Sequence, residues 1–319
     1  MKNTGQTGHR SFRIRIVFIL LLIGFPFFFF GGPGYHAARS FKAAWDLGHI
    51  LFFFLASYLM ITCTRSGRRE KKSWLFFGLS LLVVLVAGVI IELVQQAIGG
   101  RSVDGWDVYR NLLGCLTAFT VTGALPLAFR GYLFLSAAVL VLLLAAVWPL
   151  YPSLADERTA RRQFPLLSDF ETPFEQNRWK DVRQLQRQKN IVRRGQYALR
   201  VQLTTATYSG TSLFYFPHDW RDFRTLHFSV YNPDEEVLFL HCRIHDRLHT
   251  QHGMRFDDRF HKRFTLRPGW NDLSVSLQEV RTAPVSRLMD MAQVQGFGLF
   301  VIRQPRARVL YLDSIYLSR

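Results

Sequence analysis

The sequence predicts a chain of two unlike parts: a multi-pass α-helical membrane bundle of about five spans, followed by an all-β domain, a β-sandwich or barrel. Up to about residue 150, Phe, Leu, Val and Ala dominate in runs near the roughly 20 residues that a spanning helix needs. After about residue 164, charged residues, Gly and Pro interrupt the apolar residues every few positions, which is typical of a soluble β-domain. Much of the net charge of +17 falls beside the apolar runs.

After a cytoplasmic N-terminal segment, residues 1–12, the apolar runs predict a membrane domain over residues 13–150. Its spans are predicted at 13–31, 46–63, 74–98, 107–128 and 131–150. The first contains Pro26, which kinks or ends a helix, and we interpret it as an uncleaved anchor rather than a signal peptide because the run is long and more spans follow. Asn111 dilutes the fourth span, whereas the fifth ends in Trp148 and Tyr151, which suit an interfacial belt.

Basic residues predict the orientation of the bundle. The N-terminal segment, the loop 64–73 and the turn at Arg130 are all basic and lie two passes apart, so the positive-inside rule places them in the cytoplasm. Five spans then leave everything after residue 151 on the outer face. Because this topology explains the positive charge, we expect no nucleic-acid partner.

A polar linker is predicted at 151–165 and a β-domain at 166–319. Strand-like runs occur at 166–171, 197–203, 212–216, 225–231, 236–246, 263–268, 271–277, 296–302 and 309–317, and only 286–293 has a helical pattern. Cys242 is the single cysteine of this half, so no disulfide can form within it, and no CxxC indicates zinc.

Polar residues cluster where the third and fourth spans meet. Glu92 and Gln95 are three residues apart, and Asp107 and Asn111 are four apart, so each pair shares a helical face. The candidate site at the outer membrane surface consists of Asp46, His49, Glu92, Gln95, Arg101, Asp107 and Asn111. Polar residues at helix ends can also be solvated or hold helices together, but ionisable groups within a membrane are costly and usually functional or paired.

The order of these residues resembles the VanZ-like membrane domain family. The resemblance covers about residues 15–128: Asp46 and His49 precede a Phe-rich span, and the remaining cluster residues lead to Gly114. It implies a bacterial multi-span envelope protein, located in the inner or plasma membrane. The founding member of the family is associated with low-level resistance to the glycopeptide teicoplanin. The resemblance implies no reaction, and the added outer domain departs from the short family members.

Residues 166–319 resemble galactose-binding-like, jelly-roll carbohydrate-binding modules. The resemblance is carried by DFE at 169–171, Trp179, GWND at 269–272 and the closing strand at 310–317. It implies a glycan ligand and a structural calcium ion, for which Glu171 and Asp313 hold the matching positions. Calcium needs six to eight oxygen ligands, and ordinary carboxylates at a sheet edge are the alternative interpretation.

Polar and aromatic residues of the β-domain are the candidate glycan ligands. His241 and His245 face the same way if 236–246 is a strand. The histidine spacing matches no metal signature, so a sugar-binding or inter-strand polar face is favoured over zinc. The aromatic residues could instead belong to the core or rim. The full set is Tyr215, Trp220, His241, His245, Asp246, Asp258, Arg259 and Trp270.

These observations favour a non-enzymatic membrane protein of the cell envelope that recognises a cell-wall or lipid-linked glycan. No catalytic residue is assigned, because neither a nucleophile elbow nor a phosphate-binding glycine loop is present in the sequence. Two alternatives stay open. One is a membrane-embedded enzyme that acts on a lipid-linked phosphate or acyl group, and the other is a scaffold that docks another envelope protein.

Overall fold

The computed structural model describes residues 4–64, 73–99, 105–180 and 184–319. The chain divides into two compact units, Met1–Tyr151 and Pro152–Arg319. The first is helical. The second consists of two antiparallel sheets and a few short helices.

Five helices form the first unit within the described residues. They are α1 (Thr4–Gly24), α2 (Arg39–Thr64), α3 (Trp74–Gly99), α4 (Gly105–Val121) and α5 (Phe129–Val147). A 3-10 turn at Phe25–Phe28, which contains Pro26, follows α1. Four described segments are long and apolar enough to cross a membrane: Ser11–Phe28, Arg39–Thr64, Trp74–Ala97 and Phe129–Gln163.

The predicted span 107–128 differs from the others, because its helix α4 ends at Val121 after 17 residues, which is about 26 Å of helix. Gly123, at φ +62°, and Pro126 stop the helix. The Tyr132 hydroxyl replaces two lost helical hydrogen bonds, since it accepts from the Leu125 N–H at 2.6 Å and donates to the Leu125 carbonyl at 2.7 Å. Buried non-helical backbone that is satisfied in this way is tolerated at membrane depth.

Helix α4 packs tightly against α2 and α3. A Cβ atom at Gly114 would lie 2.5 Å from the Ile50 carbonyl oxygen of α2, so only glycine allows the two backbones to approach this closely. On the other side, a Cβ at Gly88 of α3 would lie 2.6 Å from Asn111 Nδ2. Helix α4 therefore lies between its two neighbours, with Asn111, Cys115, Ala118 and Phe119 among its buried residues.

The segment predicted as a linker, 151–165, is instead largely helical: α6 spans Leu150–Gln163. Its residues Ala155 to Gln163 are mostly good helix formers, and Pro152 lies in the first turn, where its missing N–H costs no hydrogen bond. Asp156 is 2% exposed and pairs with Arg178, which is fully buried. This ion pair makes α6 part of the second unit's structure.

Ten strands build the second unit within the described residues. They are β1 (Leu166–Ser168), β2 (Leu185–Gln188), β3 (Ala198–Leu203), β4 (Tyr208–Leu213), β5 (Thr225–Asn232), β6 (Leu238–Asp246), β7 (Phe260–Leu266), β8 (Gly269–Ser276), β9 (Val294–Ile302) and β10 (Arg308–Ser318). One sheet has the order β2-β3-β10-β5-β8, with β1 also paired to β10, and the other has the order β4-β9-β6-β7. The apolar inner faces meet in one core, so the predicted β-sandwich is confirmed, and its strands pair antiparallel.

Three local predictions in this unit were incomplete or wrong. Strand β2 was not predicted, because Leu185 is its single apolar residue. The predicted helix 286–293 is irregular, while α7 (Arg247–Gln251) and α8 (Leu277–Thr282) are the described helices of this region. The irregular segment is held by backbone bonds from Met289 N–H to the Arg281 carbonyl and from Trp220 N–H to the Met291 carbonyl, both 2.8 Å long.

Candidate functional site

The outer face of the four-stranded sheet carries the densest group of polar and aromatic side chains. Leu240, Cys242 and Ile244 of β6 belong to the sandwich core, so His241 and Arg243 between them point to the opposite side. His245 continues this outer row. Neighbouring strands add His261 and Arg263 from β7, Phe300 from β9, and Tyr208 and Ser212 from β4, by their register with β6 and β9.

A ladder of rings crosses this face from β4 to β7. The rings of His241 and His261 stack with centroids 5.0 Å apart and an interplanar angle of 16°. His241 also stacks on Phe300 at 5.5 Å, and Tyr208 contacts Phe300 edge-on at 5.9 Å. Phe256, which is 63% exposed, extends the ladder beyond His261 at 5.1 Å. The ladder presents flat apolar surfaces beside polar ring atoms.

The two stacked histidines are linked through their nitrogens. His241 Nδ1 and His261 Nε2 are 3.0 Å apart, which requires one donor and one acceptor. Burial, followed by the charge of Arg263, lowers the pKa of His241. Burial, followed by the charges of His241 and Arg259, lowers the pKa of His261. Both shifts favour the neutral form of the rings at pH 7, in which the remaining ring nitrogens can bind hydroxyl groups.

Glycines of β9 allow long side chains to lie flat on the sheet. Gly298 is opposite Arg243, and a Cβ there would lie 3.6 Å from two guanidinium nitrogens of Arg243. A Cβ at Gly296 would lie 2.3 Å from Cε1 of His245. Arg243 and His245 therefore rest across β9 because this strand has no side chain on the outer face at these two positions.

Of the glycan-binding candidates, His241, His245 and Arg259 lie together near this face. Asp246 and Asp258 have a different role, because both bind Arg287. Its Nη2 atom donates to Asp246 Oδ1 and to Asp258 Oδ2, each at 2.8 Å, and its Nε donates to Asp258 Oδ1 at 2.6 Å. Arg287 holds the pKa of Asp258 well below its usual range.

The aromatic candidates lie elsewhere. Trp220 is fully buried and donates from its ring N–H to the Pro217 carbonyl at 3.0 Å, so its ring has no face available to a ligand. Tyr215 follows the end of β4 and contacts Phe214. Trp270 belongs to β8 of the other sheet, where its ring lies 5.3 Å from Tyr231.

The two predicted calcium ligands accept hydrogen bonds from one loop. Glu171 Oε1 accepts from the backbone N–H groups of Gln196 and Tyr197 at 2.8 and 2.9 Å. Asp313 Oδ2 accepts from those of Arg193 and Arg194 at 2.7 and 3.1 Å. No group of three or more His, Cys, Asp or Glu side chains that could hold a metal occurs among the described residues. The hydrogen bonds that Glu171 and Asp313 accept fit a role in anchoring this loop better than calcium ligation. The calcium ion stays an untested prediction.

In the helical unit, α2 and α4 bring five polar side chains together. His49 Nδ1 lies 3.0 Å from Asn111 Oδ1, and His49 Nε2 lies 3.6 Å from Asp107 Oδ2. Arg110 bridges two acids, since it donates to Asp107 and lies 3.4 Å from Asp46. Arg110 was not among the predicted site residues, although its position three residues after Asp107 places both on one helical face.

The other predicted members of this cluster lie on α3 or outside the described residues. Glu92 is 4% exposed and lies one turn from Gly88, where Asn111 contacts α3. Gln95 donates to the Phe28 carbonyl at 2.7 Å, which ties α3 to the turn after α1. Arg101 lies outside the described residues.

An apolar groove of about 490 Å³ adjoins His49. It lies between α1, the following turn and α2, and Phe28, Trp45 and Phe52 are among its lining residues. His49 is the titratable group of this lining, and its ring meets Phe28 edge-on at 4.9 Å. The groove therefore offers apolar surface that ends at the polar cluster.

Comparison with known proteins identifies similar solved structures. No family model and no curated protein matches this chain. A family 11 carbohydrate-binding module from Clostridium thermocellum, in complex with a β-1,3-1,4-mixed-linked tetrasaccharide, is 14% identical, with a TM-score of 0.35, and covers 48% of this chain and 94% of its own. A family 28 module specific for non-crystalline cellulose is 11% identical, with a TM-score of 0.36, and covers 49% and 93%. A family 30 module of a Clostridium thermocellum cellulosomal cellulase is 14% identical, with a TM-score of 0.32, and covers 42% and 81%.

Proposed function

We propose that this chain is a bacterial integral membrane protein whose β-sandwich unit binds a glycan of the cell envelope on the outer face of the four-stranded sheet. The ring ladder is the observation that carries this proposal. Sugar rings have apolar faces and a rim of hydroxyl groups, so a site that binds them combines flat rings with several hydrogen-bonding groups. The ladder places the faces of Tyr208, Phe300 and Phe256 beside two histidines.

A glycan array with the full chain in detergent tests this proposal, followed by calorimetry with the best ligand. We expect the double variant H241A/F300A to lose at least about tenfold in affinity, because it removes the centre of the ladder. The matched variant Trp270→Ala removes an aromatic ring from the other sheet and should bind like the wild type. If no glycan binds, the proposal fails. If only Trp270→Ala loses affinity, the binding face is the other sheet.

The same proposal places the chain in the bilayer of the inner or plasma membrane, with its N-terminus in the cytoplasm and its β-sandwich outside. The four apolar segments support membrane insertion by length and composition, and the buried packing of α4 supports a fifth crossing. A Glu235→Cys label site tests the topology, because Glu235 is exposed in the β-sandwich. In a background without the exposed Cys63, a membrane-impermeant maleimide should label intact spheroplasts. Labelling only after permeabilisation would place the β-sandwich in the cytoplasm.

A second candidate function concerns the polar cluster of the helical unit. Because an apolar groove ends at His49, the unit could hold a lipid-linked headgroup, with the lipid chain in the groove and Arg110 near a phosphate or carboxylate. His49 and Asp107 could then act as acid and base in an enzyme. Turnover of a lipid-linked phosphate or acyl substrate in reconstituted vesicles, lost in His49→Gln and Glu92→Gln, would support this alternative. Full binding without turnover over a broad substrate panel would favour recognition alone.

The links to teicoplanin-type resistance and envelope maintenance rest on the VanZ-like resemblance, and we include them only as proposals. Drug susceptibility of a strain without this chain, complemented with wild type or with His49→Ala, tests the link. Docking of another envelope protein is the remaining alternative. Crosslinking from the exposed Glu235 position, followed by mass spectrometry, distinguishes a protein partner from a glycan partner.

A further inference from the structure

Two arginines on the outer face of the four-stranded sheet have no counter-ion among the described residues. Arg243 is half-buried across Gly298, and its Nε atom is both shielded from solvent and without a hydrogen-bond partner. The Nε atom of Arg259 is shielded and unpartnered in the same way. Arg259 contacts the ring of Phe256, with its guanidinium carbon 5.1 Å from the ring centroid.

Three other arginines of this unit, all with side chains at most 14% exposed, are paired with acids. Arg178 binds Asp156, and Arg308 lies 2.5 Å from Asp234. Asp246 ends β6 and Asp258 lies just before β7, and Arg287 pairs with both carboxylates. Burial of a charge without a partner is unfavourable, so Arg243 and Arg259 differ from these three arginines in lacking a carboxylate within the described fold.

The two arginines also lie near each other on the same face, since Arg243 is opposite His261 and Arg259 lies two residues before His261 in extended backbone. Burial lowers the pKa of Arg259, and the charge of Arg243 lowers it further. Burial likewise lowers the pKa of Arg243. Tyr208 acts weakly in the opposite direction on Arg259, and no carboxylate of the described residues contributes to either shift. Both groups stay protonated at pH 7, because arginine does not lose its proton in proteins.

We propose that the glycan bound on this face is anionic, and that an oxyanion on its sugar ring, from a carboxylate or a phosphate, binds between Arg243 and Arg259. This inference rests on the proposed glycan-binding function and names its ligand class. The planar fork of a guanidinium fits a carboxylate or phosphate with two parallel hydrogen bonds. The ring ladder lies beside the arginines, since His261 is opposite Arg243 in the register of β6 and β7.

Matched pairs of glycans test the ligand class with the full chain in detergent. One pair is oligogalacturonate and its methyl ester, and the other is a phosphomannan fragment and its dephosphorylated form. We expect the charged member of at least one pair to bind at least about tenfold more tightly than its neutral partner, and this preference should shrink as salt is raised. The pair that shows the preference identifies the oxyanion as a carboxylate or a phosphate.

Arg243→Gln and Arg259→Gln test the site itself. Each should weaken binding of the charged glycan by about tenfold or more, because a charge-assisted hydrogen bond is lost. Arg224→Gln removes the same charge from an exposed position before β5 and should bind like the wild type. Because the first two variants remove an uncompensated charge, their melting temperatures should equal or exceed that of the wild type, and a clear decrease would show that these arginines have a structural partner.

The outcomes separate this inference from the proposed function. If neutral glycans bind as tightly as charged ones, or if Arg243→Gln and Arg259→Gln bind like Arg224→Gln, the anionic ligand is refuted while glycan binding stands. If neither neutral nor charged glycans bind the full chain, both proposals fail.

Discussion

The buried ion pair between Asp156 and Arg178 gives the sharpest prediction for the stability of the β-sandwich unit. Arg178 donates from Nε to both oxygens of Asp156, at 3.0 and 3.1 Å, and from Nη2 to Oδ1 at 2.9 Å. Both side chains are 1% exposed. The pair joins helix α6 to the segment after β1, which contains Arg178. Arg178 Nη1 also donates to the carbonyl of Leu167 in β1 at 2.9 Å. Asp156→Ala would leave the guanidinium buried without this partner.

Removal of one member of a buried pair costs about 3–5 kcal/mol. Glu175 remains 3.6 Å from Arg178 Nη1 and offsets part of the lost attraction, so we expect the lower limit, about 3 kcal/mol. For a domain of this size, that loss lowers the melting temperature by roughly 6–12 °C. The Asp156→Leu/Arg178→Met double variant should cost less than Asp156→Ala, because apolar replacement of both partners leaves no buried charge.

Urea unfolding of the fragment 152–319, followed by fluorescence of the buried Trp179 and Trp220, measures this cost. Arg158→Ala is the matched control, because Arg158 lies exposed on the same helix. A fragment that starts at residue 164 lacks Asp156 and should be destabilised at least as much as Asp156→Ala. The reasoning is refuted if Asp156→Ala and Arg158→Ala differ by less than about 1 kcal/mol, since a paired charge would then contribute no more than a surface residue.

Three further predictions concern other parts of the chain. Gly114→Ala should lower the thermal stability of the helical unit in detergent, because its Cβ would lie 2.5 Å from a backbone oxygen, whereas Gly78→Ala, with open space around it, should not. Burial and the charge of Glu175 raise the pKa of Asp169 to about 6, so its contribution to stability is present below its unfolded pKa and is lost as the pH rises through about 6. The difference in unfolding free energy between Asp169→Asn and wild type should therefore move in favour of the variant from pH 4 to pH 7, and a constant difference would contradict this. EDTA should leave the melting temperature of the β-sandwich unchanged, because backbone N–H groups bind both predicted calcium ligands, and a decrease that added calcium reverses would establish the ion.

Much of the fold followed from the hydrophobic patterning of the sequence. Alternation in LFLHCRIHD predicted β6 and its two faces, and long apolar runs predicted α2, α3 and α5. The errors occurred where tertiary contacts override local pattern. The segment 286–293 has helical spacing, yet Arg287 binds two carboxylates from distant parts of the chain and holds the segment in an irregular form. The polar composition of residues 151–165 predicted a linker. The segment is helix α6 instead, and its Asp156 binds the buried Arg178, a contact that the local sequence does not reveal.

The site residues on β6 could be predicted from the sequence, whereas those on β7 and β9 could not. Alternation alone placed His241, Arg243 and His245 on one face, so Arg243 could have been included. His261 and Phe300 could not, because their proximity to His241 depends on the register of β7 and β9 with β6. The predicted acids Asp246 and Asp258 have suitable chemistry for a ligand, but the fold uses both in its own ion pairs.

The internal pairing of these acids also supports the anionic ligand. A carboxylate in a sheet protein with many arginines is a strong internal partner, and Asp246 and Asp258 are both bound by Arg287. Residues that remain available for a ligand are those whose own partners are missing within the fold. Among the described residues of the four-stranded sheet's outer face, these include the cations Arg243 and Arg259, so the charge that the fold leaves unpaired predicts a ligand of opposite sign.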